Sequence, residues 1–324
     1  MLDVRRLRLL RELALRGTIA AVADALRYTP SAVSQQLSTL EREAGVPLLE
    51  RTGRRVTLTP AALTLVRHTE DVLRRLEEAA ADLAGARHGL AGPVRIGTFP
   101  TAGRSMIPAA LVELARRHPG LEPMVSELDP ALVADALRAG EVDVALVHRY
   151  DFVPEVPAPG VTTDALCVEP MYLATPAATG VVGTGGAVGA VGAVGDGGPP
   201  DGDLAGQRAS AWITATPGTM CHTMTVRACQ AAGFRPSVRH RIDEFDTVLA
   251  LVAAGQGVAL VPRLAVVDPP PGVRLTALPL HRQTRIAYRS GADGHPAVSA
   301  LTAALRASVP ADLREDQTAS RHIG

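Results

Sequence analysis

The spacing of apolar residues changes character once in this chain, at Leu90-Ala91-Gly92-Pro93, and that change limits what the chain can fold into. Before it, apolar side chains recur at helical intervals, interrupted by one short alternating stretch. After it, short apolar and β-branched runs alternate with helical segments. This order requires a helical module followed by an α/β module built from βαβ units, with parallel strands. The 324 residues suit such a division, at roughly 150 residues per domain. Aromatic residues make up only 3% of the chain, so its cores must be built from Leu, Val and Ala. No apolar run reaches the ~18 residues of a membrane helix. The opening MLDVRRLRLLREL is charged throughout and has no signal-peptide h-region, so a cytoplasmic protein without membrane contact is expected. Three cysteines, Cys167, Cys221 and Cys229, cannot form a disulfide framework.

The front module is basic although the chain as a whole is neutral. Residues 1–60 hold ten Arg and six acidic residues, a net +4, which leaves −4 for the remainder. A basic first sixth on an acidic protein points to a nucleic-acid-binding module. Leu2, Leu7, Leu10 and Leu13 mark an amphipathic helix that Gly17 ends. Thr18 suits the N-cap of a short helix over Ile19–Leu26. After the break at Tyr28-Thr29, Pro30 fits the first turn of a third helix, Ser31–Ala44, which Gly45 stops. Two short helices joined by a tight turn, the second of them polar, describe a helix-turn-helix. LLERTGRRVTLT (48–59), with Thr52-Gly53 as its turn, describes a small β-wing. Pro60 then opens a long helix to about Arg87. Along it Ala62, Val66, Thr69, Leu73, Leu76, Ala80 and Leu83 recur at alternating intervals of four and three. Such a seam packs on its own domain or dimerises; its regular 3.5-residue period favours dimerisation through Val66, Leu73, Leu76 and Leu83.

In the back module, strands are expected at 94–99, 141–147, 210–213, 237–242 and 257–261, and helices at 103–117, 131–140, 219–232 and 247–254. These make two successive small α/β series. Between them, ten of the thirty glycines fall within 180–202, so this stretch should be a mobile surface loop. The polar C-terminus should fray. The nine His and three Cys show no HxxH, HxxxH or CxxC spacing, so neither a metal nor a cofactor is expected. Cys221 and Cys229 lie eight apart on one helix, about 12 Å along its axis, too far for a disulfide without unwinding.

Residues 22–62, VADALRYTPSAVSQQLSTLEREAGVPLLERTGRRVTLTPAA, closely resemble the N-terminus of LysR-type transcriptional regulators. VRIG after the Gly-Pro junction and AGQGVALVP (254–262) resemble that family's effector domain. The resemblance implies a winged helix-turn-helix over 1–59, a linker and dimerisation helix over 60–89, and an effector-binding domain over 90–306 of the periplasmic-binding-protein type. That domain would have lobe I at 93–161 plus 268–306, lobe II at 162–267 and a Gly-rich loop at 180–203, with a flexible tail at 307–324. It also implies operator DNA, a small-molecule effector, a homodimer and homotetramer, and RNA polymerase as partners.

On this reading Ser31, Ser34, Gln35 and Ser38 form the exposed side of the recognition helix, able to hydrogen-bond base edges. Arg51, Arg54 and Arg55 in the wing would meet phosphates or the minor groove. In an open α/β sheet, ligands sit beyond the carboxyl ends of strands. Those places are Thr98, Phe99, Pro100 and Thr101; His148 and Arg149; and Thr216, Pro217, Gly218 and Thr219. Hydroxyls and free N–H groups at helix N-termini would suit an organic anion. Two other functions compete. A solute-binding or transport receptor has the same back architecture, but the helix-turn-helix and the missing signal peptide oppose it. An α/β enzyme finds no support, since no G-x-S-x-G, phosphate loop or paired-carboxylate constellation is present.

Overall fold

A computed structural model describes residues 1–52, 55–86, 89–154, 158–177 and 204–314; the side chains of 51, 52 and 55 are outside that description. The Gly-rich loop expected at 180–203 and the last ten residues lie outside the described residues.

The chain begins with three helices, α1 (Val4–Arg16), α2 (Ile19–Leu26) and α3 (Pro30–Ala44). Each starts where a side chain satisfies the first free N–H groups: Asp3 for α1, Thr18 for α2 and Thr29 for α3. Gly17 and Gly45, both left-handed, close α1 and α3. The helices bury Leu7, Leu10, Leu13, Val22, Val33, Leu37 and Leu40 in one aliphatic core. Strands β1 (Leu49–Thr52) and β2 (Arg55–Leu58) form the antiparallel wing, with Leu49 opposite Leu58.

Helix α4 (Pro60–Gly85) divides the expected seam between two faces. Ala62 and Val66 pack into the helix-turn-helix core, and Thr69, Leu73 and Ala81 are buried against the rest of the chain. Leu76 and Leu83 are exposed, as is Val72 beside them. Val66 and Leu73 are therefore used within the protomer, and the apolar stripe left open is Val72, Leu76 and Leu83. The expected seam runs out of phase with this open stripe over its first half because both faces of α4 are apolar there.

The back module contains β3 (Ala91–Thr98), α5 (Pro100–Arg117), β4 (Gly120–Glu127), α6 (Pro130–Ala139), β5 (Val144–Tyr150), β6 (Val161–Pro176), β7 (Ala211–Thr214), α7 (Met220–Ala231), β8 (Ser237–Arg241), α8 (Phe245–Ala253), β9 (Ala259–Pro262), β10 (Val273–Arg289) and α9 (Pro296–Ala307). One sheet has the order β4-β3-β5-β10-β6-β9, and β7 and β8 form a small parallel pair. β3 runs parallel to β4 and β5, as βαβ units require. The purely parallel expectation fails at β6 and β10. These strands of 16 and 17 residues run antiparallel to each other, and β10 is antiparallel to β5. They cross from one lobe to the other, so β10 pairs with β5 near its end while β6 pairs with β9 near its own. The expected loose tail from 307 is corrected for residues 307–314: Val309 and Leu313 are buried in the first lobe's core.

Helix α4 also packs on the back module, and a glycine permits the approach. Gly291 has φ +93°, and a Cβ there would lie 2.5 Å from the carbonyl oxygen of Arg74 on α4. Gly140 has a similar φ of +74° with open space around it. Gly140→Ala should therefore cost only backbone strain, about 1 kcal/mol. Gly291→Ala should cost at least about 2 kcal/mol more, because α4 must also move. Urea unfolding of both variants measures the difference; equal losses would mean that α4 yields freely at this contact.

Candidate functional site

The expected DNA-reading residues lie on α3. Its buried side holds Val33, Leu37 and Leu40, which fixes the opposite side toward solvent. Ser31, Gln35 and Ser38 are exposed there and Ser34 is half-buried, so the four expected residues share one face. The wing is tied to this helix by Glu41, whose Oε1 accepts the backbone N–H of both Leu48 and Leu49 at 2.9 Å. Arg51 and Arg55 lie in the two wing strands; their side chains, and Arg54 entirely, lie outside the described residues.

The second site forms where the lobes meet. Helix α5 begins at Pro100 behind an N-cap, Phe99, whose side chain makes no capping hydrogen bond. Each other described α-helix is capped by a side chain, from Asp3 through His295. Thr101, in the first turn of α5, accepts a hydrogen bond from Arg282 Nη2 at 2.9 Å. Arg282 Nε donates to Glu169 Oε1 at 2.8 Å, and Glu169 Oε2 accepts the N–H of Leu264 at 2.6 Å. Arg282 is 1% exposed and Glu169 0%. Burial opposes the charge on Arg282, but Glu169 outweighs it and holds the guanidinium pKa above its ordinary value.

A ring and thiol cluster continues from this pair. The Arg282 guanidinium lies 5.1 Å from the centroid of Phe99. Phe99 meets His148 edge-on at 4.7 Å, and His148 meets Tyr150 at 5.5 Å. The Tyr150 hydroxyl lies 3.3 Å from Cys221 Sγ, which is 3.8 Å from His148 Nε2. Burial, helped by the charge of Arg282, pushes the His148 pKa well below its usual value and keeps the ring neutral. Burial raises the Cys221 thiol despite the Tyr150 hydrogen bond, and it pushes Cys229 up to about 12.

Phe99, Thr101 and His148 thus come together around Arg282, with Thr98 buried beside Phe99, and Pro100 lies at the exposed start of α5. Arg149 is not with them. Neighbouring side chains on a strand point to opposite faces, and Arg149 Nε donates to Gln283 on β10 at 2.8 Å. The Thr216–Thr219 turn is also engaged. The N–H and hydroxyl of Thr216 both donate to Asp243, and the Thr219 hydroxyl donates to the Thr216 carbonyl while capping α7. Gly218, at φ +97°, and the exposed Pro217 shape that turn. Above the site, Arg104 of α5 pairs with Asp246 of α8 across the two lobes. Sequence reasoning missed Glu169, Arg282, Tyr150 and Asp243. Glu169 stands in the apolar run 168–174, but Arg282 lies in the polar stretch His281–Arg285, so nothing local marked the pair. Among the described residues no group of three His, Cys, Asp or Glu could hold a metal ion.

Comparison with known proteins matches the two modules to a family. The bacterial regulatory helix-turn-helix protein, lysR family, matches residues 4–63, and the LysR substrate binding domain matches residues 87–310. The chain belongs to the LysR family of DNA-binding transcriptional regulators, which are not enzymes. It is 28% identical over 316 residues to the DNA-binding transcriptional dual regulator OxyR of Escherichia coli strain K12, covering 94% of this chain and 95% of that protein. Its fold is similar to a cysteine-to-serine mutant of Corynebacterium glutamicum OxyR with H2O2 bound, with TM-score 0.55, 24% identity and coverage of 99% and 98%. It is also similar to full-length CbnR complexed with its target DNA, with TM-score 0.51, 20% identity and coverage of 95% and 100%. No described helix is long and apolar enough to cross a membrane.

Glu169→Gln would leave the buried Arg282 without its counter-charge and should cost about 3–5 kcal/mol. The double variant Glu169→Leu with Arg282→Met should regain most of that loss. Urea unfolding of the three proteins checks both statements; a single-variant loss below about 1 kcal/mol would show that water reaches the pair.

Proposed function

We propose that this regulator responds to a small organic anion held between the lobes at the N-terminus of α5. The observation that carries this reading is the uncapped start of an 18-residue helix facing Arg282 and Thr101. The first-turn N–H groups of Thr101 and Ala102 have no partner within an α-helix, and the helix dipole places partial positive charge on them. Thr101 Oγ1 accepts from Arg282, so its hydrogen can still be donated to a ligand oxygen. Arg282 is neutralised by Glu169 and His148 is neutral, so the helix end and the Thr101 hydroxyl supply the recognition. The Arg104–Asp246 pair spans the lobes, where a ligand that favours one lobe spacing shifts the population of closed molecules. Thr101→Val should weaken effector binding about ten-fold, and Thr101→Ser should retain it. Calorimetric titration with ligands found by a thermal-shift screen of carboxylates measures this. Equal affinity for Thr101→Val and the parent would remove α5 from the site.

The peroxide bound by the Corynebacterium relative suggests a second reading, in which Cys221 reacts with an oxidant beside His148 and Tyr150. Thiols react as thiolates, and burial keeps Cys221 protonated. Cys229, on the same helix, is about 12 Å away along its axis, beyond disulfide reach without unwinding. These features favour the bound-anion reading.

For DNA, Gln35 and its neighbours on α3 are the base-reading groups, with the wing arginines on the phosphate backbone. Gln35→Ala should weaken operator binding by about 1–3 kcal/mol and leave binding to random DNA nearly intact. Equal losses on both, in a gel-shift titration, would assign Gln35 to the backbone instead. The open stripe Val72, Leu76 and Leu83 on α4 is the surface through which two protomers associate, with a homotetramer as the next level and RNA polymerase as a promoter-bound partner. Leu76→Asp should convert dimers to monomers, because it places an unpaired charge in an apolar seam. Sedimentation equilibrium that finds the parent assembly in this variant would move the interface elsewhere.

A further inference from the structure

A small cavity lies where the DNA-binding module meets the first lobe, away from both sites above. Its volume is about 40 Å³, it is open to solvent on one side, and α1, α4, α6 and the end of β10 line it. Five arginines and two glutamates line it, so its walls are strongly positive. Two of these arginines, buried Arg11 and half-buried Arg138, are incompletely bonded. Arg11, with 9% of its side chain exposed, holds its Nε 3.9 Å from Glu70 Oε1, and neither atom has a hydrogen-bond partner. Arg138, with 10% exposed, holds its Nε 3.9 Å from Glu12 Oε1 and is likewise unpartnered at that atom. These separations exceed a hydrogen bond, and buried N–H groups left unpaired are costly. At the mouth, Arg8 has no hydrogen-bond or ion-pair partner among the described residues. Gly160 forms part of the wall at φ +75°, where a Cβ would stand 3.1 Å from Glu70 and 3.5 Å from Arg11.

We infer that this cavity binds a small inorganic tetrahedral oxyanion, phosphate or sulfate, which bridges Arg11 of the DNA-binding module and Arg138 of the effector domain. The space holds about three waters at ~10–15 Å³ each, comparable to a compact oxyanion. An anion with several acceptor oxygens satisfies the unpaired Nε–H groups of two different elements at once, and such charge-assisted bonds are strong. The opposing charges at the site are Glu12, whose Oε1 already accepts from Arg11 Nη2 at 2.7 Å, Glu77 and, nearest the unpaired Arg11 Nε, Glu70. Burial raises its pKa, so its negative charge is the more readily given up when the anion enters. The bound anion fixes α1 against α6 and so sets how the helix-turn-helix sits on the effector domain. This site is independent of the effector reading at α5.

The test is calorimetric titration of the full chain with sodium phosphate, and separately with sodium sulfate, in chloride buffer at constant ionic strength. Arg8→Gln removes an exposed donor without breaking an ion pair, and Glu70→Gln removes the opposing charge. The expected result is saturable binding of both oxyanions, about ten-fold weaker in Arg8→Gln and tighter in Glu70→Gln. Both variants should unfold at the parent's temperature in chloride alone or within a few degrees of it. Absence of saturable binding overturns the proposal. So does unchanged affinity in the two variants, which would place the anion on the DNA-reading surface.

Discussion

The buried pair of Arg282 and Glu169 is the interaction on which the effector domain is organised. The two residues face each other in register where β10 and β6 cross between lobes. From that point the pair reaches outward in three directions. It bonds Thr101 at the start of α5, it accepts the N–H of Leu264 after β9, and it stacks on Phe99. Removing two charges from water is expensive, and an apolar pair would serve stability equally well. What apolar residues cannot supply is direction. A guanidinium with fixed donors holds Thr101 and Phe99 at set angles, so the first turn of α5 keeps one orientation relative to β6.

Helix α4 couples this domain to the DNA-reading surface. One side of it carries Leu73, Glu77 and Ala81 against the effector domain, where Arg289 pairs with Glu77 at 3.2 Å. The other side presents Val72, Leu76 and Leu83. If that open face is joined to a second protomer, as proposed, the helix would transmit displacement as a rod does, because neither face could slide without breaking contacts on the other. Arg16 with Asp135 at 3.0 Å adds a second tie between α1 and α6.

Much of the helix-turn-helix was legible because its signals are local. Thr18, Thr29 and Pro30, Gly17 and Gly45 each act on the few residues beside them, and each lies where the capping rules put it. Most of the short strands and helices of the two lobes were legible for the same reason, with somewhat shifted boundaries, but β4 and α9 were not among the expected elements. The long strands β6 and β10 were not, since their burial changes character as they pass from one lobe to the other and no single period describes them. That gap also hid Glu169 and Arg282, whose partnership joins distant parts of the chain. The candidate site was half legible. Phe99, Thr101 and His148 converge, but Arg149 looked equally suitable because strand phase could not be assigned from the sequence. The Thr216 turn looked open because its partner, Asp243, follows a different strand.

The bond from Glu41 to the first residues of the wing has a mechanical meaning. Leu48 and Leu49 hang from a side chain that belongs to α3 itself, so hairpin and helix share one hinge-free joint. Helix α3 and the hairpin beside it therefore turn as a single body. In the proposed dimer, a swing delivered through α4 would change the distance between the two half-sites that a pair of such bodies can span, rather than the grip of either one on its own bases. In that proposed assembly, operator spacing is the quantity that an effector would adjust.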